Sequence, residues 1–211
     1  MRERHNKSVS LLELLIAIVL LAVLVLGLTS IDFFSRNHVI SSDMRSRLQN
    51  EIYLALEHVS RSVIRATGDN GNFGILDPTF VGPAPYHETF TQIRIDLNSP
   101  PTPNNYADDT WVGYALDLRG GIHNGELFFC PNVTTFNYCG TGFEANRVVI
   151  ASHIPHDGFR VTRIFGPDAT TPIGLTVTLN ARHDVSVAVS LENPEMTMMN
   201  VAYSRSITAT N

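Results

Sequence analysis

Three sets of residues in this chain have the types and spacing to do chemistry. Glu13 is a carboxylate at the threshold of an apolar run, residues 14–28, which reads Leu-Leu-Ile-Ala-Ile-Val-Leu-Leu-Ala-Val-Leu-Val-Leu-Gly-Leu. An ion at the centre of a bilayer-spanning helix costs about 2.5 to 3.5 kcal/mol, and less near the edge, so Glu13 calls for a counter-charge. Cys130 and Cys139 close a short polar stretch containing Pro131 and Asn132. In an oxidising compartment they would form a loop staple adding about 2 to 4 kcal/mol by restricting the unfolded chain; two free thiols are the alternative. His153, His156 and Asp157 form the third set. Pro155 breaks any helix that would present both imidazoles on one face, and no third ligand is evident, so the expectation is a turn with exposed imidazoles rather than a metal centre.

The remaining motifs carry less. Asp69-Asn70-Gly71-Asn72 lacks the alternating oxygen ligands and closing glutamate of a calcium loop and reads as a helix-ending turn. Asn132-Val133-Thr134 fits a glycosylation triplet but is given no weight. No Gly-x-Ser-x-Gly, phosphate-cradling loop or His-Glu-x-x-His occurs, so nothing calls for a catalytic residue, a cofactor or a metal, and the expectation is a non-enzyme. With 17% charged residues and a net charge of -5, bulk electrostatics do not attract nucleic acid. The 211 residues, 44% apolar, suit one globular domain plus an appendage.

The elements that must position these residues follow from patterning. Arg2, Arg4 and Lys7 precede the apolar run, and Lys7 is the only lysine in the chain. A basic leader before a span is the mark of a segment held at the cytoplasmic face, so the chain after it faces outward. No small-residue Ala-x-Ala site follows the run, which disfavours its removal as an ordinary signal peptide. Beyond Phe34 the pattern turns one-sided: Ile40, Met44, Leu48, Ile52, Leu56, Val59 and Val63 recur every three or four positions between charged residues. No proline occurs before Pro78, and Gly68 to Gly71 supply a stop, so one helix is predicted over residues 9–66, on the order of 87 Å long. Its first half belongs in lipid and its second half against a domain.

The period then changes. Strands are predicted at 92–97, 111–118, 126–130, 147–151, 159–165, 173–179, 185–191 and 198–208, with Gly120-Gly121 as a tight turn and residues 100–105 as an exposed proline-rich loop. A helix followed by a run of strands argues for an α+β chain, its antiparallel sheet packed on the second half of the helix.

At its N-terminus the chain resembles a type IV prepilin. Lys7-Ser8 / Val9-Ser10-Leu11-Leu12-Glu13-Leu14-Leu15-Ile16-Ala17 is similar to the family run in which a small residue ends the leader and glutamate is fifth in the mature chain. The likeness is close from Leu11 onward; Ser8, Val9 and Ser10 stand where glycine, phenylalanine and threonine are usual. The resemblance implies cleavage by prepilin peptidase between Ser8 and Val9, N-methylation of Val9, and assembly in which Glu13 faces the Val9 amine of a neighbouring subunit. It implies residues 1–8 as leader, 9–34 as transmembrane and filament-core helix, 35–68 as its amphipathic continuation and 69–211 as a periplasmic β-rich head. The implied partners are other pilins or pseudopilins, the peptidase, an inner-membrane assembly platform and membrane lipid. Residues 50–68, 111–119 and 199–208 also look similar to minor pilins of the PilW kind and to the J-class pseudopilin of type II secretion. An ordinary single-span anchor whose Glu13 snorkels to the headgroups, carrying a monomeric periplasmic binding module, remains the alternative.

Overall fold

The computed structural model describes residues 10–68, 74–75, 79–81, 88–96, 109–117, 125–133 and 147–205. The leader, the proline-rich loop and the Gly120-Gly121 turn lie outside the described residues. The chain forms two compact units, Met1–Asp43 and Met44–Asn211.

Helix α1 spans Leu11–Ile64 and runs through both units. The absence of proline permits its length, and its leucine and alanine content favours it. It stops by tightening: the Arg65 amide is shared between the carbonyls of Arg61 and Ser62, at 3.3 and 3.1 Å, and the Ala66 amide reaches the Val63 carbonyl at 3.0 Å. Such i to i−3 bonds satisfy carbonyls that a helix end otherwise leaves open. The Thr67 amide then bonds the Arg94 carbonyl at 2.9 Å and so enters the sheet.

The second unit has two antiparallel sheets. β1 (Thr79–Val81), β2 (Glu88–Asp96), β3 (Thr110–Asp117), β4 (Gly125–Val133) and β5 (Val148–Ile154) form one in sequence order. β6 (Phe159–Phe165), β7 (Pro172–Arg182) and β8 (Glu195–Tyr203) form the other. The α+β class therefore holds, with the strands split between two sheets. The split falls at a turn where Pro155 offers no amide to a ladder. The Gly158 amide closes this turn on the Pro155 carbonyl at 2.7 Å, and His153 just before it takes φ 60°. Only glycine fits at 158, because a Cβ there would lie 2.7 Å from the Asn180 carbonyl oxygen.

The core gathers Leu48, Ile52, Leu56, Val59 and Val63 from α1 with Ile93, Val112, Tyr114, Leu116 and Leu127 from the first sheet and Phe159, Leu175, Val177 and Leu179 from the second. Each such aliphatic side chain contributes about 1.5 to 3 kcal/mol by leaving water. The predicted helix stripe is thus buried from Leu48 onward, whereas Ile40, placed at its start by periodicity, is 52% exposed.

Two further differences from the predicted elements stand out. β1 is a three-residue strand that no periodicity announces. Residues 185–191 are not a strand, despite their alternation of Val185, Val187, Val189 and Leu191 with small residues. Their backbone is captured instead by Asn193, which is 4% exposed. Its amide nitrogen donates to the carbonyls of Asp184, Val187 and Ala188 at 2.9, 2.8 and 3.1 Å, and its Oδ1 accepts from the Asp184 amide at 2.7 Å. These bonds fold the segment into a loop between β7 and β8.

Candidate functional site

The N-terminal turn of α1 holds Glu13. Ser10 is its N-cap: the Glu13 amide donates to Ser10 Oγ at 3.2 Å, and the Ser10 amide donates back to Glu13 Oε2 at 3.0 Å. This reciprocal pair is a capping box, and it also sets a negative charge against the positive end of the helix dipole. Glu13 therefore has an intramolecular role that the sequence analysis missed, although Ser-x-x-Glu ahead of an apolar run is its signature. Ser8 and Val9 lie outside the described residues.

After Glu13 no ionisable residue occurs until Asp32. The stretch from Leu11 to Ile31 rises about 30 Å at 1.5 Å per residue, the thickness of a hydrocarbon layer. Its hydroxyls are satisfied within the helix, since Thr29 Oγ1 and Ser30 Oγ both donate to the Leu26 carbonyl, at 3.0 and 2.8 Å. The run ends in an i,i+4 ion pair, Arg36 Nε to Asp32 Oδ2 at 3.0 Å, with both side chains exposed. α1 is long and apolar enough to cross a membrane, and its most apolar window buries nothing within the chain.

In the second unit α1 is pinned to β3 by polar groups inside the core. Tyr114 Oη lies 2.9 Å from His58 Nδ1 and 2.7 Å from Ser62 Oγ, and it also lies 3.2 Å from the His58 carbonyl, to which it can donate. Burial pushes the Tyr114 phenol well above its ordinary range, against the opposing pull of its bond to Ser62. Burial and the nearby Arg61 cation hold the His58 imidazole below its usual value. The His58 ring also meets Phe129 edge-on at 4.5 Å.

On the opposite face of the first sheet, Arg94 is fully buried. Its Nη1 pairs with Asp109 Oδ2 at 2.9 Å, its Nε donates to the Thr67 carbonyl at 2.9 Å, and its guanidinium lies 5.4 Å from the Trp111 ring centroid. This clasp joins the exit of α1 to β2 and β3. Cys130 is buried beside Trp111 and Val133 on that face, while Cys139 lies outside the described residues.

The histidine set does not converge. His153, next to last in β5, is half exposed, with Nδ1 3.9 Å from Glu51 Oε2 and its ring stacked 6.2 Å from that of His183. His156 sits in the following turn, 3.8 Å from Asp157. His153 is therefore a strand residue rather than part of the expected turn, because the pairing of β5 with β4 continues to Ile154, opposite Gly125. Among the described residues no three metal-ligating side chains gather.

Residues 4–29 match the prokaryotic N-terminal methylation motif. No curated protein and no solved structure matches the chain. The motif covers the basic leader, Glu13 and most of the apolar run, and it supports a type IV pilin or pseudopilin class of protein, processed by prepilin peptidase. It implies in general terms contact with other pilins and with that peptidase, and it suggests a structural rather than catalytic subunit. The motif and the exposed apolar helix fit a membrane-anchored protein that later enters a filament.

Proposed function

We propose that the chain is a minor subunit of a type IV pilus or a related pseudopilus, such as that of type II secretion, aiding initiation or capping of the fibre. Residues 1–8 are the leader, 9–34 the transmembrane and filament-core helix, 35–68 its continuation and 69–211 the periplasmic head. Prepilin peptidase cuts between Ser8 and Val9, the new amine of Val9 is methylated, and the inner-membrane assembly platform transfers the subunit from lipid to fibre. Glu13 then accepts the Val9 amine of the neighbouring chain as its counter-charge, which makes axial register selective.

The observation that carries this reading is the methylation motif over residues 4–29, continuous with a helix whose most apolar stretch is left unburied among the described residues. N-terminal peptide mass analysis tests it. The mature protein should begin at methylated Val9, and assembled protein that retains residues 1–8 would overturn the proposal.

Cys130 and Cys139 form the head's staple in this reading, supported by the burial of Cys130 and by the absence of a free cysteine among the described residues. Alkylation of unreduced, denatured protein should leave both unlabelled.

A further inference from the structure

The two sheets have four edge strands, and three of them carry a feature that discourages pairing with another chain. β1 is three residues long. β5 slips register twice against β4, and its Ser152 amide is taken by Glu51. β6 shifts register between Ile164 and Phe165 and carries Arg160 and Arg163. β8 has none of these: it is nine residues long, keeps unbroken register with β7, and has no proline and no charged residue between Glu195 and Arg205.

The Ser204 amide donates to the Ile173 carbonyl at 2.9 Å and the His183 amide to the Pro194 carbonyl at 3.2 Å, so the even-numbered residues of β8 face β7. Thr197, Met199, Val201 and Tyr203 therefore turn their amides and carbonyls to the open side. Among the described residues only one of these amides has a partner, that of Val201, which donates to Asn200 Oδ1 of its own chain at 2.8 Å. Beside this edge lies a groove of about 390 Å³, lined by Met198 and Met199 of β8 and by Tyr53, Ser60, Arg61 and Ile64 of α1.

Such a groove suits an extended, uncharged strand, and residues 206–211, Ser-Ile-Thr-Ala-Thr-Asn, have that composition. When extended they place Ile207 and Ala209 on one face and Ser206, Thr208 and Thr210 on the other, and they span about 20 Å, the length of Thr197 to Tyr203. They also start at the groove, since the Arg205 amide bonds the carbonyl of Ile64, one of its lining residues, at 3.3 Å. Return within one chain is obstructed. Ser204 is still held by β7, and neither it nor Arg205 has the positive φ of the favoured two-residue reversals, so a wider loop would consume residues that the groove needs.

We propose that residues 206–211 of a second copy occupy this groove as a fourth strand of the second sheet, with Ile207 and Ala209 toward α1 and the hydroxyls outward beside Thr197. The arriving backbone replaces Asn200 Oδ1 at the Val201 amide. Two copies side by side with parallel helices, as in one membrane or fibre, bring each tail to the Tyr203 end of the other's groove, so the exchange is reciprocal and antiparallel to β8. That direction rests on the assembly reading above, whereas the pairing itself does not.

Full-length protein carrying Thr208→benzoylphenylalanine, a photo-crosslinker, is mixed in detergent with a large excess of heavy-isotope-labelled protein that lacks it. The mixture is irradiated and cut with trypsin, which cleaves after Arg182 and Arg205. The light peptide 206–211 should be joined mainly to the heavy peptide 183–205. Joining to the light peptide 183–205 would place the tail on its own edge and overturn the exchange, and joining to neither would remove the tail from the groove altogether. Truncation after Arg205 should raise hydrogen exchange at the Met199 and Tyr203 amides by about tenfold or more; unchanged exchange would also overturn the proposal. Protection that appears only when other filament subunits are added, without the cross-link, would give the edge to a foreign strand and overturn the second copy as occupant.

Discussion

In the unit Met1–Asp43, the large apolar side chains between Leu11 and Phe34 are 49% to 83% exposed, whereas in Met44–Asn211 the helix residues Leu48, Ile52, Leu56, Val59 and Val63 are exposed by 3% or less. The same element, α1, supplies both sets. The head completes its stretch of helix with two sheets, a buried ion pair and a phenol–imidazole network. Among the described residues the apolar side chains of the N-terminal stretch find no burial, while its capping box, two hydroxyls and the Asp32–Arg36 ion pair are satisfied locally. A sequence whose apolar surface is left open over about six turns is specified for another phase, lipid or the packed helices of a fibre. The contrast predicts that substitutions in the first region act on assembly and those in the second on stability.

The sharpest attempt to break that contrast is at Glu13. Glu13→Leu should leave insertion in the membrane intact, because it makes the span more apolar, and should deplete the protein from sheared fibres by tenfold or more, about 1.4 kcal/mol or above in the assembly equilibrium. Glu13→Gln keeps the shape while removing the charge. Loss of head stability in either variant, or undiminished incorporation of both, would erase the division between the regions.

In the head, the largest expected effect is at the clasp. Asp109→Ala leaves Arg94 buried without its carboxylate and should lower unfolding free energy by about 3 to 5 kcal/mol, read by denaturant melts of the head's near-ultraviolet signal. Replacing both partners, Arg94→Met with Asp109→Leu, should recover much of that loss. A smaller and pH-dependent effect is expected at His58. Its imidazole is held below the usual value, so the unfolded chain takes up a proton first as pH falls. The stabilising contribution is full above about pH 6.5 and is lost as pH drops through the folded value. His58→Phe should flatten that part of the stability profile; an unchanged slope would place the acid sensitivity elsewhere.

What could be seen in the sequence follows from where the physics is local. The stripe from Leu48 to Val63 and the alternation in β3 are periodic, and periodicity is visible in one dimension. The Ser10–Glu13 cap is equally local and was legible in its spacing. Arg94 and Asp109 stand 15 residues apart across a strand connection, and in Ile-Arg-Ile-Asp the arginine looks like an outward polar residue. Nothing in the order of residues announces that its face of the sheet is also covered, by Trp111 and Cys130. Residues 185–191 have the pattern of a strand, yet Asn193 offers their carbonyls closer donors than a neighbouring strand does.

The bonds that fix α1 in the head also have a mechanical side. Glu51 holds the Ser152 amide, Ser60 meets Asn200, His58 and Ser62 share the Tyr114 hydroxyl, and the Ala66 carbonyl accepts from Ser204. They are spaced along one helix and run to two different sheets. A pull along the helix axis therefore loads them in parallel, in shear, rather than one after another as a peeling force would. A head attached in this way resists stripping from its own helix until the cross-links yield together, so an axial force on α1 is shared among them rather than concentrated on one.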